Sequence, residues 1–284
     1  MDTFTRWNAA AFRISNMKLH VLLQRAYMKA SKIAKPNRRF STNFGSVMRG
    51  NITDYVPARI CFFGTWEPNL SRFMEATIRP GDSVVDLGAN IGYFTLLMSK
   101  LVGPTGRVIS IEAAPTTAAI LRENVAANAC SNVDVKEIAI AEKEGELKLF
   151  HSRWGKTNTG AATLVEGRGS AGYDVVKTDT LLDVLAENAP RVSFIKIDIE
   201  GAEMPVLNEI LANRAHFGRS LTIVCELEDS NMQIVDRFRT SGFEAGYIEN
   251  DYSVDAYLRE SIDELKPFNG ERPDTADMVF RSVR

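Results

Sequence analysis

Cysteine is scarce in this 284-residue chain: Cys61, Cys130 and Cys225 are far apart and odd in number. No CxxC pair and no Cys/His spacing of a zinc site occurs, and no disulfide framework can be drawn. Long hydrophobic runs are missing as well. No stretch approaches the roughly 18–20 apolar residues of a membrane span. The first residues carry no apolar core of the roughly 7–15 residues that mark a secretory signal, so a cytoplasmic location is the expectation. Basic charge is absent from most of the chain. The formal net charge is -2, and residues 1–40 hold nine Lys/Arg against one acid, Asp2. That segment is therefore +8, which leaves -10 for the remainder. An acidic body excludes nucleic acid as a natural substrate. There is no internal repeat.

What is present is ordinary globular composition, 45% apolar and 25% charged, with material for one large core. Residues 7–34 have helical periodicity: Trp7, Ala11, Ile14, Leu19, Leu22, Leu23, Ala26 and Ile33 recur at three- and four-residue steps, with basic residues on the other face. Pro36 and Asn37-Arg38-Arg39 stop it. Such a helix suits packing on the body or on a second copy of the chain (a homodimer). It also suits contact with a membrane surface or an acidic partner. The expected division is a basic helical extension over 1–55 and one domain over 56–284.

Residues 40–80 read as mixed. From 83 onward strands and helices alternate. Strands are expected at Val84–Leu87, Val108–Ile111, Val133–Ile138, Leu147–Phe150, Tyr173–Lys177, Val192–Asp198, Leu221–Glu226, Phe243–Ile248 and Met278–Val283. Helices are expected between them, the second opened by Pro115, whose missing N–H costs nothing there. This order means βαβ units, a mainly parallel sheet with helices on both faces, and a ligand at the carboxyl ends of the strands.

The first such end is Asp86-Leu-Gly-Ala-Asn-Ile-Gly92. It departs from the dinucleotide pattern G-x-G-x-x-G. Its glycines are four apart, and Asp86 precedes the first by two. A carboxylate repels a pyrophosphate but suits an ammonium, so the turn favours an amino-acid-like ligand. Glu112 closes the second strand, where an acid accepts hydrogen bonds from vicinal ribose hydroxyls. The edge around Asp134 and Glu137-Ile-Ala-Ile-Ala141 could flank an adenine. The fourth strand ends Lys196-Ile-Asp-Ile-Glu-Gly-Ala-Glu203. Period-two alternation puts Lys196 and Asp198 on one side, with Ile195, Ile197 and Ile199 opposite. Charges at the edge of a buried strand are costly unless paired or used.

Asp-Leu-Gly-Ala-Asn-Ile-Gly-Tyr-Phe-Thr, Ile-Glu-Ala-Ala-Pro and Ile-Lys-Ile-Asp-Ile-Glu-Gly-Ala-Glu, in this order, resemble the FkbM family of S-adenosylmethionine-dependent methyltransferases over roughly residues 60–250. The resemblance implies the class I methyltransferase fold, Rossmann-like, with a mostly parallel seven-stranded sheet and an antiparallel last hairpin. It implies S-adenosyl-L-methionine as cofactor and methyl transfer to a hydroxyl of a small acceptor, a sugar or a polyketide- or glycolipid-type molecule. Asp86, Gly88, Asn90 and Gly92, with Ala89 between them, match the motif around the methionine half. Glu112 matches the ribose-binding acid, and Glu67 an upstream acid near the cofactor. Ala139 is taken as a cofactor contact, and Asp198 falls beside the transferred methyl.

An alcohol must lose its proton near the transition state, so a base is wanted. Asp198, His151 and Glu226 are candidates, with Asp198 and His151 preferred. His20 and His216 are not placed for chemistry. No metal site is predicted, although Asp198, Glu200, Glu226 and His151 are ligand types that suit Mg²⁺ or Mn²⁺. In the loop that His151 opens, Trp154 with Arg153, Lys156 and Asn158 could grip a sugar or a phosphorylated headgroup. Two other readings compete. A nicotinamide-dependent oxidoreductase wants a glycine where Asn90 stands. A non-catalytic nucleoside-binding module would have lost the cofactor residues, which are intact.

Overall fold

A computed structural model describes residues 37–283, except 152–161, 166, 168–171, 254–255, 258–264 and 273–275. The expected helix over 7–34 and the loop residues Arg153, Trp154, Lys156 and Asn158 lie outside the described residues.

The chain opens with a hairpin, β1 (Asn37–Ser41) and β2 (Val47–Asn51), followed by α1 (Tyr55–Phe63) and α2 (Pro68–Thr77). Then come β3 (Ser83–Leu87), α3 (Tyr93–Val102), β4 (Arg107–Ile111), α4 (Pro115–Ala127), β5 (Val133–Lys136), β6 (Ala139–Ile140), β7 (Gly145–Phe150) and β8 (Tyr173–Asp179). The rest is α5 (Leu181–Leu185), β9 (Val192–Ile197), α6 (Glu203–Ala212), β10 (Thr222–Glu226), α7 (Ile234–Thr240), β11 (Phe243–Glu249), β12 (Lys266–Pro267) and β13 (Ala276–Ser282).

The main sheet runs β12-β11-β13-β10-β9-β3-β4-β5. The five strands β5, β4, β3, β9 and β10 are parallel, and β13 runs antiparallel between β10 and β11. This is the expected seven-stranded sheet with an antiparallel last hairpin. A two-residue edge strand, β12, is added, and its Pro267 is tolerated because an edge position leaves an N–H unused. The other departure is at Glu137. The third strand does not run to Ile138; it stops at Lys136, and Ala139–Ile140 join a separate sheet, β6-β8-β7.

Burial explains the central strands. Val84 and Phe194 face one core with Leu96, Leu97 and Met74; Val85, Ile195 and Ile197 face the other with Val206, Leu207 and Phe280. Each such side chain removed from water contributes about 1.5–3 kcal/mol, and both faces of a parallel sheet must be covered.

The hairpin β1–β2 was not legible in the polar 37–51 stretch. Its outer strand is held by two amides one helical turn apart on α4. Asn124 accepts from Arg49 N–H at 2.6 Å and donates to its carbonyl at 3.1 Å. Asn128 repeats this with Val47, at 2.9 and 2.7 Å. Side chains thus replace the missing neighbour strand, which blunts the sheet edge. Residues 37–51 therefore pack with the body. Among the described residues no helix is long and apolar enough to cross a membrane.

Candidate active site

A cavity of about 280 Å³ opens over the carboxyl ends of β3, β4, β9 and β10. Its first wall is the turn after β3. Gly88, Asn90 and Gly92 have φ of 76°, 51° and 94°, all left-handed. A Cβ on Gly88 would lie 1.7 Å from the Asp198 carbonyl oxygen, and one on Gly92 would lie 2.5 Å from Leu121 Cδ1. Only glycine satisfies both constraints. Asn90 tolerates its conformation because its side-chain oxygen accepts from Ile91 N–H at 2.8 Å.

Glu112, just past β4, is held by two backbone donors. Oε2 accepts from Asn90 N–H at 2.8 Å and Oε1 from Ala114 N–H at 2.9 Å. Burial raises its carboxyl to about 7, against the lowering by those two N–H groups. Each oxygen keeps a further lone pair toward the cavity. Beyond it stands an apolar wall of Ile138, Ala139, Ile140, Leu149 and Leu164.

The other half of the cavity is acidic. Glu67, Asp198, Glu200 and Glu226 line it, with Lys196 as the sole cation on the wall among the described residues. Lys196 Nζ donates to Asp198 Oδ2 at 2.9 Å and lies 5.1 Å from the Phe94 ring centre. Burial alone would depress the ammonium, but Asp198, Asp86 and Glu67 outweigh it and raise its pKa, holding it charged. Tyr252 donates to Glu67 Oε1 at 2.9 Å. Burial, then Asp277 and Asp198, push the Glu67 carboxyl well up. Glu226 ends β10, where part of its surface meets solvent. Desolvation by the surrounding protein, then Asp198, Asp277 and Glu200, raise it to about 8. Glu203 accepts from Ile199 N–H at 3.2 Å and Gly201 N–H at 2.9 Å, so it fixes the turn that carries Asp198 and Glu200.

The model of the methyltransferase FkbM domain matches residues 86–259, more than half of the sequence. The chain belongs to the FkbM methyltransferase family. It is 31% identical over 172 residues to "Methyltransferase 1" of Beauveria bassiana, covering 53% of this chain and 67% of that protein. It is 30% identical over 155 residues to "Methyltransferase sdnD" of Sordaria araneosa, with 45% and 60% covered. With "31-O-demethyl-FK506 methyltransferase FkbM" of Streptomyces tacrolimicus it shares 28% over 196 residues, 58% of this chain and 74% of that one. The chain thus spans about two thirds of the length of these relatives. Among solved structures, a methyltransferase FkbM from Methylobacillus flagellatus KT is 14% identical, with TM-score 0.44, covering 80% of this chain and 55% of that chain.

Members of this family are S-adenosylmethionine-dependent methyltransferases, and the residues present fit that cofactor. Glu112 offers a carboxylate with spare acceptor capacity to vicinal hydroxyls, and the Ile138–Leu164 wall offers a dry face to a flat base. Asp198, ion-paired with Lys196, and the buried Glu67 complete the acidic side of the cavity.

Of the predicted cofactor residues, Glu67, Gly88, Ala89, Asn90, Glu112, Ala139 and Asp198 line one cavity. Gly92 caps α3 just behind it. Asp86 is fully buried and not on the wall. Its Oδ2 accepts from Thr95 Oγ1 at 2.7 Å, and its Oδ1 has no partner. Its pKa is raised by burial, against Lys196 and Thr95. Asp86 therefore lies beneath the turn, behind the cavity wall, and not on it as expected.

His151 stands apart from the cavity. It is exposed, hydrogen-bonded to Asp174 Oδ2 at 3.1 Å, and absent from the cavity wall, because β7 carries it onto the second sheet. Asp134 is engaged by Arg107 at 3.2 Å and Lys136 at 3.3 Å, away from the cavity; the neighbouring 138–140 stretch lines it instead. Among the described residues no three or more His, Cys, Asp or Glu side chains are grouped to hold a metal ion. Sequence reasoning missed Tyr55, Trp66 and Tyr252, which join the wall from more than 130 residues before Asp198 or from beyond β11. Only the aromatic in Trp66-Glu67-Pro68 signalled any of them.

Proposed function

We propose that the chain transfers a methyl group from S-adenosylmethionine to a hydroxyl oxygen of a small acceptor, a sugar or polyketide-type natural product. The observation that carries this reading is the carboxylate wall beyond Asp198, with Glu226 poised near neutral pH at its edge. A carboxyl raised to about 8 holds a proton better than an ordinary one, so it suits the removal of a proton from an alcohol. A relative whose name specifies 31-O-demethyl-FK506 supports an oxygen acceptor.

When bound, S-adenosylmethionine supplies a methyl carbon already activated by its sulfonium. Glu112 orients the ribose through its hydroxyls, and the glycine turn lets backbone approach. Lys196 fixes the Asp198 carboxylate on the cavity wall, so that its charge would be set before reaction and would not have to reorganise. Glu226 would accept the proton that the acceptor hydroxyl loses. Tyr93 and Phe94 keep that region dry, which strengthens each of these interactions.

Thermal shift with S-adenosylhomocysteine and with NAD tests the cofactor, since a ligand of the folded state raises the melting temperature. Stabilisation by S-adenosylhomocysteine alone is expected, and stabilisation by NAD alone rejects the reading. Transfer of labelled methyl to a panel of alcohols, amines and thiols then tests the acceptor atom. Asp198→Ala with unchanged turnover at saturating cofactor would remove Asp198 from the mechanism.

A further inference from the structure

The cavity has a feature that neither the cofactor nor the proton transfer uses. Tyr55, Trp66 and Tyr252 form an aromatic wall on its acidic half. The planes of Tyr55 and Trp66 are perpendicular, with ring centres 5.7 Å apart, and Tyr252 tilts at 35° against Trp66 at 5.5 Å. Two perpendicular planes make a corner, which receives one face and one edge of a ring.

The corner is braced. Arg59, one helical turn along α1 from Tyr55, lies 5.1 Å from its ring centre and donates to its hydroxyl at 3.3 Å. Tyr252 is tied by its hydroxyl to Glu67. Yet Tyr55 remains 43% exposed, a costly state for a large ring held in place at a cavity mouth.

Position separates this corner from the nucleoside end. Glu112 follows β4, whereas Asp198 and Glu226 follow β9 and β10, two and three strands along the sheet. At about 4.8 Å per strand, these points are roughly 10 and 14 Å from Glu112. Tyr252 follows β11, farther in the same direction. Charge narrows the ligand. Among the described residues the wall there carries Glu67, Asp198, Glu200 and Glu226, and the cation on it, Lys196, is engaged by Asp198. Burial and the neighbouring carboxylates hold the Glu67 and Glu226 protons on, so the field there opposes further negative charge and disfavours a phosphate or carboxylate. Hydroxyl groups would find acceptors, and the C–H face of a sugar would find aromatic rings.

We propose that Tyr55, Trp66 and Tyr252 form the acceptor subsite, and that it takes a neutral, polyhydroxylated ring, an uncharged sugar unit. This rests on the hydroxyl-acceptor reading above and specifies where and what the acceptor is.

The test uses the full chain saturated with S-adenosylhomocysteine, in a Trp7→Phe/Trp154→Phe background that leaves Trp66 as the reporter. Methyl hexopyranosides and the matching hexose phosphates are titrated by fluorescence. Neutral glycosides are expected to quench saturably and the phosphates not to. Tyr55→Ala and, followed by saturation-transfer NMR, Trp66→Ala should each weaken glycoside binding roughly tenfold or more. Trp66→Phe should restore most of it, and S-adenosylhomocysteine affinity should stay within about twofold in every variant. That last measurement also shows that the variants are folded. Absence of glycoside binding, tighter binding of phosphates, or glycoside binding indifferent to both rings overturns the subsite. Methyl transfer that goes to hydroxyls yet ignores these rings sinks the subsite alone. Transfer confined to nitrogen or sulfur sinks the hydroxyl reading.

Discussion

The two halves of the cavity are built in opposite ways. The β3–β4 half is made of backbone. Gly88, Asn90 and Gly92 shape it, and Glu112 is pinned by two N–H groups only 2 and 22 residues away in sequence. The β9–β10 half is made of side chains gathered from distant places: Trp66 and Glu67 before α2, Asp198 and Glu226 after their strands, Tyr252 after β11. The lesson is that the half proposed to hold the cofactor is encoded locally, whereas the half proposed to hold the acceptor is encoded by long-range packing. Loops on a rigid sheet can then vary without disturbing the cofactor.

The largest effect should come from Gly88→Ala. Its Cβ would meet the Asp198 carbonyl at 1.7 Å at a left-handed φ, so backbone must move in both halves at once. A loss of about 4 kcal/mol or more in stability, measured by urea unfolding, and loss of S-adenosylhomocysteine binding by calorimetry are expected. A folded, cofactor-binding variant would show that the two halves are not coupled through this contact.

Glu226→Gln should next separate them. A fall of roughly 10²–10³ in kcat is expected with unchanged S-adenosylhomocysteine affinity. In the parent enzyme kcat should rise with pH through about 8, because the base must be ionised, and this limb should vanish in the variant. Weakened cofactor affinity would erase the distinction between the halves.

Glu112→Gln should do the converse. Affinity for S-adenosylhomocysteine should fall roughly ten- to hundredfold, with a smaller effect on kcat. It also carries a stability signature. The folded-state carboxyl is raised from 4.5 to about 7, so its contribution is fully present below pH 4.5 and is lost as pH rises through 7. The size is at most about 3 kcal/mol, and unfolding midpoints at acid and neutral pH should differ less in the variant. An unchanged pH slope would mean that other buried carboxyls carry it.

His151→Ala should do least. The residue is exposed with one surface partner, so stability should change by less than about 0.5 kcal/mol and kcat hardly at all. A large fall in kcat would place a third region, the β7 end, in the site.

These variants also mark what could be read in advance. Gly88, Asn90, Gly92 and Glu112 were legible because a strand followed by a tight turn forces unusual backbone on a few adjacent residues, and only certain side chains allow it. Lys196 and Asp198 were legible from period-two alternation, and the structure joins them at 2.9 Å. Asp86 was legible as important but not in its role: no local pattern says whether a buried carboxylate faces a ligand or, as here, a threonine. His151 misled because a histidine after a strand carries no mark of which sheet that strand joins.

By itself the sequence determined the alternation of strands and helices, the parallel sheet with its antiparallel end, and the turn and acid of the cofactor half. All of these follow from interactions between near neighbours, through periodicity, backbone conformation and burial. The tertiary structure alone decided that the chain leaves the main sheet at Glu137, that Asn124 and Asn128 secure an early hairpin, and that Trp66, Glu226 and Tyr252 meet across one cavity. Those outcomes depend on which surfaces pack together once the chain is compact, and contacts between separate segments, such as those of Asn124 and Asn128 with strand residues 75 and 81 positions away, leave no periodic trace in either segment.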